Sequence, residues 1–197
     1  MYRAVDDIRL QKKELRRAYK TRGAALTEKY RREADAAIRE AALSSALWKN
    51  AESLFIYVSM FTEPDTRALI AAALEAGKRV YVPLCCPEHV MKAVRMQSLD
   101  ELSPGALGIP EPPAENEAAG PGDLDLVVIP CVTVTKSGER LGHGAGYYDR
   151  FLRLHRCPTL CLCYGRMLAD AVPTDENDVR MDWVVTESGA APCSTGK

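Results

Sequence analysis

Apolar and polar positions change period several times along this chain, and each change marks an element. From about Asp6 to Arg22 the apolar residues Ile8, Leu15 and Tyr19 fall on one side of a predicted helix, while Arg9, Lys12, Lys13, Arg16 and Lys20 crowd another. A second helix is expected after Thr27 as N-cap, running through an alanine-rich stretch to about Ser45. From Ser53 the texture turns β-like: Leu54 to Val58 is a short strand, Pro64-Asp65 ends a loop, Thr66 to Ala76 is helical, and Gly77 stops that helix before the strand Arg79 to Pro83. This is a βαβ unit, so the strands are parallel and ligands gather at their carboxyl ends. The loop Ser59 to Glu63 therefore lies on the functional edge.

Further on, Val90 to Met96 alternates like an edge strand, and Leu107 to Pro113 reads as a rigid loop with too many prolines for a ladder. Ala114 to Gly122 reads as a mobile surface connection. Leu124 to Pro130 is an apolar run of buried-strand type, followed by a glycine-rich loop and a helix from Tyr147 to about His155. Thr159 to Tyr164 is a strand, and Trp183 to Thr186 is expected to close the sheet. Ser188 to Lys197 has the composition of a flexible tail. The pattern predicts one α/β domain over residues 1–187 with a tail at 188–197.

Composition narrows the function classes. With 197 residues, 47% hydrophobic and 27% charged, the chain can bury one sizeable core. A net charge of -1 gives no global pull toward nucleic acid or membrane, so neither is expected as a partner. The first residues are charged and no apolar run reaches membrane-spanning length, so a cytoplasmic location is expected. Seven cysteines without a secretory signal are expected to be reduced and mostly buried, with Cys193 the exposed thiol. Cys157, Cys161 and Cys163 lack a CxxC pair and read as core residues rather than metal ligands.

The chemistry concentrates at Arg140 to Asp149, where Gly142, Gly144 and Gly146 stand at alternate positions between a strand and a helix. Such a loop is either a ligand-free connection or a cradle whose N–H groups and helix dipole meet an anion. Neither the dinucleotide fingerprint nor the Walker A loop fits the spacing. Arg140, a fork-shaped phosphate donor, and Asp149, a magnesium-type carboxylate, favour the cradle. The carboxylate-rich loop Val172 to Asp178 is a solvated turn or half of a metal site; magnesium held with nucleotide needs one or two carboxylates, which Asp149 and Asp178 supply. The basic stripe of the first helix is a solvated face or an anion contact.

Taken together, these motifs resemble the 5-formyltetrahydrofolate cyclo-ligase family, also called methenyltetrahydrofolate synthetases. The likeness runs over nearly the whole chain: Lys12-Lys13-Glu14-Leu15-Arg16, Ser59-Met60-Phe61-Thr62-Glu63, Gly108-Ile109-Pro110-Glu111-Pro112, Arg140-Leu141-Gly142 through Gly146-Tyr147-Tyr148-Asp149, and Val172-Pro173 with Asn177-Asp178. It departs from the family pattern at Cys131 to Thr135, where the family commonly reads Gly-x-Ala-Phe-Asp, and at Ala145, where glycine or lysine is frequent.

The resemblance implies a three-layer α/β/α sandwich with a largely parallel sheet and an N-terminal helical pair. It implies an enzyme, a ligase that closes 5-formyltetrahydrofolate to 5,10-methenyltetrahydrofolate with ATP and Mg2+, releasing ADP and phosphate through phosphorylation of the formyl oxygen. Folate polyglutamates are further expected substrates. By the same resemblance the catalytic residues are Arg140, Lys12 and Tyr148. ATP would meet Lys12, Lys13, Glu14, Leu15, Arg16, and the run Arg140, Leu141, Gly142, His143, Gly144, Ala145, Gly146, Tyr147 and Tyr148. The folate would meet Val58, Glu63, Ile109, His143, Gly144, Ala145, Gly146 and Tyr147, with Glu63 accepting hydrogen bonds from the pterin. The metal would sit on Asp149 and Asp178. Two other readings compete: a nucleotide-binding regulator without turnover, which would tolerate loss of Glu63, and a sugar-phosphate isomerase or CoA-transferase-like enzyme, which would need no ATP.

Overall fold

A computed structural model of the chain describes residues 2–60, 62–105 and 108–194, with the side chains of residues 2–6 outside the description. Two helices open it, α1 (Tyr2–Ala24) and α2 (Glu28–Ser44), followed by a short α3 (Ala46–Asn50). Thr27 caps α2 as expected, its hydroxyl accepting from Tyr30 N at 3.2 Å. Ala34, Ile38 and Ala42, four apart, form the buried stripe of α2. Ser45 ends α2 and starts α3, accepting from Trp48 N, and this second cap makes a separate helix where one was expected to end.

The βαβ unit follows as β1 (Ser53–Ile56), α4 (Arg67–Glu75) and β2 (Arg79–Cys86). Gly77 takes a φ of 74° to close α4, its N–H reaching Leu74 O while Lys78 N reaches Ala73 O. Strand β3 (Val90–Met96) returns antiparallel beside β2. A two-residue pair joins β4 (Ser103–Pro104) to β5 (Pro110–Glu111), the second of which lies within the proline-rich segment expected to form no ladder. Then come β6 (Leu126–Ile129), the small pair β7 (Thr133–Val134) and β8 (Arg140–Leu141), α5 (Tyr147–Leu154), β9 (Thr159–Leu162), β10 (Trp183–Thr186) and β11 (Gly189–Pro192).

The main sheet runs β11-β10-β9-β6-β1-β2-β3, parallel through its five inner strands and antiparallel at both edges. Strands β1 and β6 are buried at every position. Helix α2 packs on β10 and β11 and against α4, while α5 packs on β3 and sets Phe151 tilted against Phe55, centroids 4.6 Å apart. This is the expected α/β fold, a largely parallel sheet with flanking helices and an N-terminal helical pair. The chain leaves β1 for β2 on one side and then returns across it to β6 on the other. The crevice beyond the carboxyl ends of β1 and β6 is thus the topological switch point, where ligands bind in such sheets.

Three expectations need correction. Residues 189–192 are not a tail but an edge strand: Glu187-Ser188 forms a two-residue turn, Gly189 takes a φ of 124°, and Ala190 and Ala191 pair with Val185 and Val184. Ladder bonds use only backbone groups, so a polar, small-residue composition hides such a strand; the final stretch 195–197 lies outside the described residues. Ala114 to Gly122 is also fastened, with Arg95 N donating to Glu117 O and Ala119 N to Ala93 O, both at 2.8 Å, which covers the free edge of β3. Cys193 is half-buried, as are Cys85, Cys86 and Cys157, so it is not the one exposed thiol. All seven thiols are free, and burial pushes Cys85, Cys157 and Cys193 up to about 11. Among the described residues no helix is long and apolar enough to cross a membrane.

Candidate functional site

A cleft of about 1050 Å³ opens at the switch point. Its floor is Tyr57 and Val58, just past β1, and Pro130, just past β6. The loop after β8 forms one wall, α1 leans over it, and the loops holding Glu63 and Asp178 flank it.

The glycines of that loop do more than free the backbone. A Cβ on Gly142 would stand 2.8 Å from Arg140 Nη1, one on Gly144 would stand 3.2 Å from Arg16 Cζ, and one on Gly146 would stand 3.1 Å from Arg150 Nη1. Each alternate glycine therefore leaves the space one guanidinium occupies. Gly144 and Gly146 also hold φ of 106° and 73°, the left-handed region that glycine enters freely, and Gly146 hands the chain to α5.

Arg140 lies deep, its side chain 3% exposed. Nη1 donates to Pro130 O at 3.2 Å and Nη2 to Asp149 Oδ2 at 3.1 Å, while its Cζ sits 5.7 Å from the Tyr148 ring centroid. Its Nε is buried with no partner among the described residues. Asp149 also accepts from Val179 N. Arg140 thus lines the cleft with one edge of its guanidinium paired to Asp149 and little of its surface exposed.

Lys12 reaches the cleft from the buried side of α1. Nζ donates to Asp175 Oδ2 at 2.7 Å and to Asp178 Oδ2 at 2.5 Å. Burial opposes the charge on Lys12, but these two bonds and carboxylates more than offset it and raise its pKa; the Lys12 bond in turn holds Asp175 below the usual carboxylate range. Arg16, one turn along, donates from Nε to Gly142 O at 2.8 Å. Burial lowers Arg16 and Arg140 adds to that, against Asp178 and Asp149.

Across the cleft, the loop after β1 is tied internally. Tyr57 donates to Pro64 O at 2.8 Å, Thr66 to Tyr57 O at 2.7 Å, and Met60 N to Glu63 Oε2 at 2.9 Å. Glu63 Oε1 meets His143 Nε2 at 3.2 Å, which joins this loop to the glycine loop. Val58, Ile109 and Tyr147 line the same cavity. Tyr148 stacks on Phe55 at 6.2 Å, and burial drives its phenol well above its ordinary value, so it stays a proton donor.

Most residues singled out from the sequence therefore line one cleft. Lys13 and Glu14 do not: both are exposed on α1, and Leu15 packs on the core. The basic stripe is split by the helical period, Lys12 and Arg16 facing in, Lys13 and Lys20 facing out. Arg9, not among the expected site residues, lines the cleft as well. Asp175, Arg150 and Arg153 were missed; Asp175 stands three residues before Asp178, and the arginines one and four positions after Asp149. Thr135, where the family pattern has a carboxylate, bonds Glu139 and fastens the turn between β7 and β8. Among the described residues no group of three or more His, Cys, Asp or Glu side chains converges as a metal cage.

Residues 8–187 match the sequence model of the 5-formyltetrahydrofolate cyclo-ligase family. The chain is 29% identical to the 5-formyltetrahydrofolate cyclo-ligase of Mus musculus over 91% of its length and 95% of the mouse protein. It is 31% identical to the probable 5-formyltetrahydrofolate cyclo-ligase of Caenorhabditis elegans, over 91% and 94% of the two chains. The NMR structure of Aquifex aeolicus 5,10-methenyltetrahydrofolate synthetase superposes with a TM-score of 0.81 at 28% identity, covering 94% of each chain.

Proposed function

This chain belongs to the 5-formyltetrahydrofolate cyclo-ligase family, and from that membership we propose that it converts 5-formyltetrahydrofolate to 5,10-methenyltetrahydrofolate with ATP. One observation carries the reading beyond the family name. A single cleft at the switch point has a cationic, glycine-lined flank and, opposite it, a buried carboxylate, Glu63, on an independently anchored loop.

The cationic flank suits a triphosphate. Lys12, Arg16 and the loop amides neutralise and orient it, and Arg140 acts by bracing Asp149 and the loop. Glu63 suits the pterin, whose ring N–H groups it would accept, and its bond to His143 keeps it turned toward the loop. The γ-phosphoryl group passes to the formyl oxygen and ADP leaves. The neighbouring folate nitrogen then attacks the formyl carbon, the C–O bond breaks with departure of phosphate, and that nitrogen loses its proton as the amidinium ring closes. Tyr148, held protonated, donates a hydrogen bond to the oxygen under attack. The protein's part is positioning and charge neutralisation.

Asp149 and Asp178 fit Mg2+, as hard oxygen donors on the phosphate flank, in the number such an ion takes when nucleotide supplies further ligands. Bound there, the ion would add positive charge against the triphosphate. Lys12 donates to Asp178 and also to Asp175, so an ion held there would share Asp178 with an ammonium that stays anchored on Asp175 beside the phosphates.

Calorimetry on three variants tests the division of the cleft. Glu63→Gln should weaken 5-formyltetrahydrofolate binding more than ATP binding, and Lys12→Ala should do the reverse while Lys13→Ala leaves both unchanged. A loss of ATP affinity in Glu63→Gln as large as its loss of folate affinity contradicts the reading.

A further inference from the structure

The three arginines seated on the glycine loop do not share one task. Arg140 is committed to Asp149, and Arg16 lies within reach of the charges of Asp149 and Asp178. Arg150 goes the other way. Its Nε donates to His89 O at 3.2 Å and its Nη2 to Ala145 O, both backbone carbonyls, and no carboxylate among the described residues pairs with it. Helix α5 in fact sends one arginine to each flank, because Arg153 reaches Asn177 Oδ1 at 3.0 Å beside the carboxylate loop. Arg150 is left as a cation on the opposite rim, held by neutral partners, its charge uncompensated.

The rim itself is built to hold it. Glu88 and His89, at the tip of the β2–β3 hairpin, both take a φ of 58°, a left-handed conformation that non-glycine residues adopt only where surrounding contacts require it. That backbone aims the His89 carbonyl at Arg150, and the His89 ring meets Tyr147 edge-on, centroids 5.6 Å apart. Gly146 leaves room for the guanidinium. Tyr147, Arg150 and the hairpin residues Cys85 and Met91 all line the cleft.

We propose that Arg150 receives a carboxylate of the substrate's glutamyl tail and so distinguishes folates from pterins that lack it. The inference rests on the cyclo-ligase reading. A folate is a pterin joined through an aromatic amide to glutamate, so a cleft that takes the pterin at Glu63 must also meet a flat ring and an anion. Tyr147 offers the ring a face, and beside it Arg150 offers the anion a planar fork with Nη1 still unused.

The test is the affinity of wild type, Arg150→Gln and Arg150→Lys for three probes: 5-formyltetrahydrofolate, 5-formyltetrahydropteroate as its primary carboxamide, which keeps the ring and the aromatic amide but carries no carboxylate, and ATP. Wild type should bind the folate more tightly than the carboxamide. Arg150→Gln should lose about tenfold for the folate and nothing for the carboxamide or ATP, the size of a charge-assisted hydrogen bond at a half-open site, and Arg150→Lys should recover part of it. Equal losses for folate and carboxamide would make Arg150 a merely structural brace, a loss for ATP would make it a phosphate ligand, and no loss would make it idle; each overturns the proposal. If wild type binds neither pterin compound, the cyclo-ligase reading falls first and takes this one with it.

Discussion

Gly144 and Arg16 are fitted to each other: the guanidinium carbon lies 3.2 Å from where a Cβ on Gly144 would stand, while Arg16 Nε donates to the carbonyl of Gly142. A methyl at Gly144 must push the guanidinium away and must also accept a φ of 106°. Gly144→Ala should therefore weaken ATP binding by about the 1.5–3 kcal/mol of a hydrogen bond to a charged group, as Arg16→Ala should. The two losses should not add, because both remove the same cation from the same place. ATP titrations of the two single variants and the double variant check this, and fully additive losses would separate the glycine from the arginine.

Arg140 teaches a different lesson. The resemblance makes Arg140 a catalytic residue, whose loss would slow turnover without unfolding the chain. The side chain is only 3% exposed and pairs with Asp149, so its removal leaves a carboxylate without its cation and the Pro130 carbonyl without its donor. Arg140→Ala should cost roughly 3–5 kcal/mol of stability. Denaturant unfolding measures it, and a midpoint like that of the parent would return Arg140 to the role of a free phosphate contact.

The Lys12 pair sets a pH dependence. Asp175 is held below the usual carboxylate range by its bond from Lys12, so its contribution is present above the unfolded value of about 3.9 and is lost as pH falls through the depressed folded value. Lys12 is raised, so its contribution is full below the unfolded value of about 10.4 and is lost as pH rises through the folded one. Lys12→Met should flatten the stability profile at both ends relative to the parent. Thermal unfolding between acid and alkaline limits checks it; parallel profiles for the two proteins would show that the pair does not contribute.

Local chemistry was legible in the sequence. Thr27, Gly77 and the alternate glycines announce a cap, a stop and a loop because each acts on its immediate neighbours. The βαβ pattern placed Glu63 on the right edge of the sheet for the same reason. What stayed hidden depends on distant partners. The carboxylates on Lys12 lie 163 and 166 residues further along, so the helical period sets Lys12 apart from Lys13 but does not say what it meets. Arg140 reads as a phosphate donor by its residue type, whereas its burial and its pairing with Asp149 follow only from the fold. The strand β11 escaped notice because backbone pairing leaves no mark on composition.

The central claim is that one cleft brings nucleotide and folate together for ring closure. Purified protein is mixed with ATP, Mg2+ and 5-formyltetrahydrofolate, and the methenyl chromophore is followed by absorbance. The account predicts that the chromophore grows only when all three are present, one ADP appearing for each ring closed, and that Lys12→Ala and Glu63→Gln each slow it. A folded, parent-like protein that forms no chromophore under these conditions, or forms it without ATP, would contradict the account.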